Sequence, residues 1–310
     1  MAPNDTAKAT ATWNGASADD FEVDAPSPGA VMRRRARRHL GLIIGGTVVL
    51  IAVICALFAP LIAPFDPYDQ ELTRKLINPI WGKGGTWTHP FGTDALGRDL
   101  LSRVIYGTQI SLTIGVLAAT LAGVIGSTLG MIGGYFGGRV DAVIMYLINC
   151  KLALPPLLVA LSVVSVFGGS IPVLILVMAA LFWDRYAVVT RAATQQIRSN
   201  DFVTAAEAVG CSKTRIILRE VLPNILNQII VIASLEMALA ILVEAVLSFF
   251  GLGVQPPTPS WGLLVNEGRQ YMFFKPYLIT IPGLAIFFLV LSINMMGDGI
   301  RDITAPEGRN

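Results

Sequence analysis

The chain has 310 residues, 54% hydrophobic and 14% charged, with a mean hydropathy of +0.63 and a formal net charge of +2. That composition is too apolar for an ordinary soluble domain, and the placement of the basic residues carries more than their net excess. Three cysteines (Cys55, Cys150, Cys211) and two histidines (His39, His89) show no C-x-x-C or H-x-x-x-H spacing, which argues against a structural zinc site or a disulfide framework.

Residues 1–32 mix Ala, Asp, Ser, Thr, Asn and Pro without apolar period and read as a disordered cytoplasmic tail. Arg33, Arg34, Arg35, Arg37 and Arg38 follow, and an uncharged stretch at 40–63 comes directly after them. As a helix it rises roughly 36 Å at about 1.5 Å per residue, enough to cross the hydrocarbon. A cleaved signal peptide has a shorter apolar region and a shorter leader, so 33–63 is read as a basic flank and an uncleaved first transmembrane helix. Beside a span, the arginines more simply hold the N-terminus in the cytoplasm than bind nucleic acid.

Residues 64–109 are expected to form an extracytoplasmic loop. The segment from His89 to Arg103 reads as a turn and the start of an amphipathic helix, with Thr93 or Asp94 able to cap it and Arg98 and Asp99 free to pair. A second span is expected at 110–134, where Gly126 and Gly130 make a small-xxx-small pair that permits close helix approach. Region 140–189 holds Pro155, Pro156, the break Gly168-Gly169-Ser170 and Pro172, and reads as two spans joined by a tight turn. Lys151 then lies inside the earlier span, able to snorkel from a helix end, and Asp184 and Arg185 lie at the end of the later one.

A polar island at 201–223 interrupts this pattern. Ala205, Ala206 and Ala208 favour a short helix, and Gly210 suits the left-handed position just past its end. Ser212 can cap a second short helix, and Pro223 limits how far it continues. Spans flank this hairpin on both sides, so it must dock on something soluble. A fifth span fits 225–250, a sixth fits 276–296, and 301–310 is left as a tail. Beyond the fifth, Gly251 and Gly253 end the helix, the prolines at 256, 257 and 259 stiffen the exit, and Trp261 suits the headgroup interface. Six spans put both termini on one side. The basic residues at 33–38, 139, 185–219, 301 and 309 make that side cytoplasmic, while the first external loop balances its basic residues with acidic ones. No G-x-x-x-x-G-K-[ST] phosphate loop is present, so the chain is not expected to bind or hydrolyse ATP, and no Ser-His-Asp or metal-ligand set stands out.

Ala205, Ala206, Gly210, Leu222 and Pro223 stand in a pattern that resembles the coupling loop of ABC importer permeases, at 199–223 here. HPFGTDALGRDLLSRVIYG from His89, the run from Glu244 to Gly262, and NMMGDGIRD from Asn294 are similar to segments of the dipeptide and oligopeptide (and nickel) branch. The chain resembles the second, C-type, permease subunit of that branch. The resemblance implies an all-α integral membrane protein with six transmembrane helices in the type I permease fold. It places a core domain at 110–300 and a cytoplasmic helix-turn-helix that couples to an ATPase through Ala205, Ala206, Glu207, Gly210, Ser212, Arg215, Glu220, Leu222 and Pro223. It also implies a homologous second permease, two ATP-binding subunits that hold the ATP and Mg, an extracytoplasmic solute-binding protein, and the bilayer of a bacterial inner membrane. No cofactor, metal, nucleic acid or catalytic residue belongs to this chain in that reading. Thr204 stands where the family often has Glu, Glu220 where the peptide branch commonly has His, and Asn149 where Asp is frequent.

Glu236 and Glu244 fall within the fifth span, about 80° apart around a helix of roughly 3.6 residues per turn. With Ser248 they either line the translocation path or serve structure, bonded to backbone or to hydroxyls of neighbouring helices. The expected solute is a di- or oligopeptide. Nickel chelates, glutathione and opine-like solutes remain within the same class. A secondary transporter would show an internal repeat and leave the hairpin unexplained.

Overall fold

The computed structural model describes Ala36 and residues 39–304; the tail at 1–32, the arginines at 33–38 and the residues after 304 lie outside the described residues. The first apolar stretch forms α1 (Leu40–Leu57), followed by a short turn of helix at Ala59–Ile62. His39 caps α1 through Nδ1, which accepts from the Leu42 N–H at 3.1 Å, while its Nε2 lies 3.0 Å from Asp302. α1 is otherwise peripheral, with only Gly45 and Ala56 buried along its length.

The second span is longer than its uncharged stretch. α2 (Leu100–Phe136) begins ahead of 110 and is capped by Asp99, which accepts from the Ser102 N–H at 2.8 Å, rather than by Thr93 or Asp94. The two expected caps are otherwise engaged. The Thr93 hydroxyl accepts from the Ile77 N–H at 2.9 Å, and the Asp94 carboxylate takes the N–H groups of Leu96 and Arg98 and both neighbouring arginines. At the Gly126 and Gly130 pair, α2 meets the backbone of α5 (Ile171–Arg198). A Cβ on Gly126 would overlap the Trp183 carbonyl oxygen and come within 2.7 Å of the Tyr186 Cβ, so only glycine permits this approach.

Region 140–189 differs from its expected pair of straight spans. The turn at Gly168–Ser170 is present, but the segment before it divides into α3 (Gly138–Leu152) and α4 (Pro156–Phe167), bent by 80° at the break. The tandem prolines explain the bend: residue 155 disfavours α conformation in its predecessor, and neither proline donates to the helix ladder. α5 runs on to Arg198, so Asp184 and Arg185 sit in the middle of a helix rather than at its end. Lys151 does not snorkel; its ammonium pairs with the buried Asp184 carboxylate.

Past α6 (Asp201–Ala208), α7 runs unbroken as Lys213–Phe249. Pro223 therefore does not stop it. A single π turn at Ile217–Val221 precedes the proline, and its i→i+5 pattern absorbs the missing N–H. The core lies between α2, α5 and α7, where Ile114, Ala118, Met178, Phe182, Tyr186, Ala240 and Leu247 are buried together. α8 (Trp261–Gly268) follows the proline-rich exit, and Trp261 is buried rather than interfacial: its indole N–H donates to the Val104 carbonyl at 2.9 Å. α9 (Tyr277–Thr304) extends past 301, so Arg301 belongs to its last turn and not to a tail. By length and composition α1, α2, α5, α7 and α9 can each cross a membrane, and bent α3–α4 brings the number to six if the pair is one broken span and not a re-entrant loop.

Candidate functional site

The hairpin is built on the end of α2. Val203 of α6 and Ile216 and Val221 of α7 point inward against Met131 and Tyr135, forming a small apolar core of their own. The Tyr135 hydroxyl donates to Glu207 Oε1 at 2.7 Å, and the Arg198 guanidinium lies 5.8 Å from the centre of the Tyr135 ring. Past the end of α6, Gly210 adopts φ +82°; its N–H bonds the Glu207 carbonyl at 2.9 Å and the Cys211 N–H bonds the Ala206 carbonyl at 3.0 Å. This pair of bonds is the Schellman motif, which requires a left-handed residue. Ser212 then caps α7, its hydroxyl accepting from the Arg215 N–H at 3.4 Å.

The expected coupling residues all fall in this one element. Ala205, Glu207, Gly210, Ser212, Arg215 and Pro223 are exposed, while Ala206, Glu220 and Leu222 are half-buried. Phe202 and Val209 add exposed apolar surface, and Val209 is 84% exposed. The tip is thus an apolar patch on a turn anchored against Met131 and Tyr135. α7 starts in the hairpin and ends at the far side of the bundle, one helix of about 55 Å at about 1.5 Å per residue.

Glu236 and Glu244 occupy different surroundings on α7. Glu244 is fully enclosed; its Oε1 accepts from Ser248 at 2.7 Å and from Ser260 at 2.9 Å, and its Oε2 has no partner. Ser248 in turn accepts from the Val254 N–H at 3.1 Å, and Ser260 caps α8. These bonds tie the end of α7 to the start of α8. Glu236 is also buried, but it faces α5: Arg185 Nη1 lies 3.4 Å from its Oε1, and its Oε2 is unpartnered.

At the end of the molecule away from the hairpin, the His89–Arg103 segment folds into an ionic lock. Arg103 is fully buried and bonds Asp94 at 2.7 Å and Glu267 of α8 at 2.6 Å; Arg98 bonds the same two carboxylates. Asp99 meets His89 Nδ1 at 2.9 Å rather than Arg98. Glu267 carries no motif of its own, so sequence reasoning had nothing to mark it with. The same holds for Tyr135, which lies far in sequence from the Glu207 that it holds.

Residues 126–309 match the binding-protein-dependent transport system inner membrane component, and residues 27–79 match the N-terminal TM domain of oligopeptide transport permease C. The chain belongs to the binding-protein-dependent transport permeases. The permease is 41% identical over 271 residues to the dipeptide transport system permease protein DppC of Haemophilus influenzae, covering 87% of this chain and 92% of the relative. It is 39% identical over 297 residues to the di/tripeptide permease protein DppC of Pseudomonas aeruginosa, covering 96% and 98%. It is also 38% identical over 275 residues to the glutathione permease protein GsiD of Escherichia coli O157:H7, covering 89% of each. A chain of the inward-facing MetNI methionine ABC transporter superposes with a TM-score of 0.55 at 15% identity, over 66% of the permease and 98% of that chain. The permease therefore has the type I importer fold and is a multi-pass membrane subunit of the ABC class.

Proposed function

We propose that this permease carries di- and oligopeptides across a bacterial inner membrane as one of two homologous transmembrane subunits of an ATP-driven importer. The observation that carries the reading is the hairpin: exposed, apolar at its tip, anchored on α2 and continuous with a spanning helix. Relatives named for dipeptide and di/tripeptide transport over most of the chain support the solute class. In this reading the two ATP-binding subunits hold the nucleotide and Mg, and each docks one hairpin. Closing the ATPase dimer moves Ala205, Gly210 and Arg215 with it. α7 and the end of α2 follow as rigid bodies, turning the path from outward to inward opening. ATP must favour one arrangement by differential binding, because equal affinity for both would shift nothing. The permease makes and breaks no bonds.

Orientation follows from charge: the hairpin side is cytoplasmic, both termini lie there, and the lobe at 64–99 with α8 faces an extracytoplasmic solute-binding protein. Pathway roles for Glu236, Glu244 and Ser248 belong to the same reading; the serine bonds around Glu244 favour an indirect role there, holding the mouth of α7. A second reading, glutathione as the solute, is favoured by the relatives named for it. Native mass spectrometry of the tagged chain from its host is the test. Two ATPase copies with one different permease are expected. A chain found alone or as a homo-oligomer, with no ATPase even after crosslinking, overturns the reading, and uptake of labelled dipeptide against labelled glutathione separates the two solutes.

A further inference from the structure

Four charged side chains meet halfway along the bundle, where a membrane protein can least afford them. Glu236 lies at the middle of the Leu222–Phe249 helix, and Trp183 and Tyr186, on either side of Asp184 and Arg185, pack against Gly123 and Gly126 in the central part of α2. Lys151 reaches Asp184 from the end of α3, just before the bend. The formal charges cancel, but their exposure does not. Asp184 and Glu236 are each 1% exposed at the side chain, Lys151 is 15% exposed, and Arg185 is 55% exposed. The anions are inside, Lys151 is mostly covered, and only Arg185 faces out.

A guanidinium facing lipid at this depth is costly, so the half-exposed face of Arg185 demands water or a polar partner. The α3–α4 break makes the same demand. Its bend at 80° interrupts a helix in mid-span, leaving Leu152 and Leu154 more than half exposed beside it. Interrupted backbone at membrane depth is tolerated where it lines a wet cavity or is covered by protein. Lys151 meets Asp184 on the α3 side of α5, while Arg185, the next residue, turns toward Glu236 of α7. Among the described residues Arg185 has a single side-chain hydrogen bond, at 3.4 Å to Glu236, which leaves most of its donor fork open.

We propose that Arg185 contacts the carboxylate of the passing peptide halfway across the membrane, with Glu236 as its competing counter-ion. This rests on the importer reading above. A guanidinium fork matches a carboxylate in bidentate geometry, and every linear peptide with a free C-terminus carries one. Glu236 keeps the contact weak. When the solute leaves, Arg185 falls back on a charge already in place, which a translocation site needs if it is to release what it binds. Lys151 neutralises Asp184, so Arg185 is not drawn into a second pair.

The test uses the whole importer, with both permeases, two ATPases and the binding protein, in proteoliposomes taking up labelled Ala-Ala. Arg185→Cys is made in a chain with Cys55, Cys150 and Cys211 changed to serine, and that background with Arg185 retained is the reference. Loss of the charged contact is expected to lower uptake about tenfold, the equivalent of 1.4 kcal/mol, with assembly and ATP hydrolysis kept. Water-borne aminoethyl methanethiosulfonate, which returns a positive charge, is expected to restore uptake, and the sulfonatoethyl reagent is not. Arg185→Lys is expected to retain more uptake than Arg185→Cys. Reference-level uptake by Arg185→Cys, failure of that variant to assemble, a thiol unreactive from water, or equal rescue by both reagents overturns the proposal. If the reference complex itself takes up no dipeptide, the importer reading fails first and the role of Arg185 falls with it.

Discussion

Gly210 offers a clean test of what the hairpin needs. Its φ of +82° is left-handed, and a Cβ placed there would meet nothing within 4 Å in this chain. Any effect of a small substitution inside the permease is therefore conformational and not a clash. An L-residue held left-handed costs roughly 1–2 kcal/mol, asparagine pays less, and a β-branched residue pays more. A cost of that size lowers the population of the Schellman-closed hairpin by about 5–30-fold. The series Gly210→Asn, Gly210→Ala and Gly210→Val is thus expected to lose peptide uptake in that order. Membrane insertion and complex assembly should stay intact, and the ATPase should become progressively uncoupled from transport. Uptake and ATP hydrolysis measured together in proteoliposomes read both quantities. Wild-type coupling in Gly210→Val would refute the argument. Equal loss in all three would refute it differently, showing that a docked partner fills the space beside Gly210 and that φ is irrelevant.

Other outcomes follow from the packing. Arg103→Leu removes one of the two arginines that hold Asp94 and Glu267, leaving Arg98, and is expected to cost on the order of 1–3 kcal/mol; a thermal midpoint equal to wild type in the purified complex would contradict it. Gly126→Ala drives a methyl into the α5 backbone, while Gly46→Ala on α1 meets nothing within 4 Å. Helix propensity alone predicts that both stabilise, by up to about 1 kcal/mol, so a lower melting midpoint for Gly126→Ala only is the signature of close helix approach. Tyr135→Phe removes one hydrogen bond to an exposed carboxylate, which is worth at most about 1 kcal/mol there. Assembly is expected to survive and the ATP consumed per peptide to rise; an unchanged ratio would show that the Tyr135–Glu207 bond plays no part in coupling.

Local signals in the sequence were legible where one residue type dictates a conformation. Gly210 after an alanine-rich helix, Ser212 as a cap and the Gly126–Gly130 pair could each be read from composition and spacing, and the structure places all three in those roles. The resemblance carried the fold and the family. Errors arose where tertiary partners compete for a group. Asp94 looks like a helix cap until Arg98 and Arg103 claim its carboxylate, and Trp261 looks interfacial until the Val104 carbonyl takes its N–H. Pro223 looked like a stop because the π turn that accommodates it has no signature in residue type. The turn at Gly168–Ser170 was legible and stands where expected, whereas the additional bend at Pro155 and Pro156 depends on how α3 and α4 pack and not on residue type alone.

The one-sided packing of α1 against α9 has a consequence for mutational tolerance. Leu40, Ile44, Leu50, Ile51 and Leu57 show most of their helix to the surroundings, whereas a Cβ at Gly45 would stand 2.5 Å from the Ser292 carbonyl of α9. Along the outward face only hydrophobicity is specified, so any apolar side chain of any shape should serve. At Gly45 shape is specified and hydrophobicity is not. A saturation scan of α1 scored by uptake is expected to show a broad permissive surface crossed by one intolerant position per few turns.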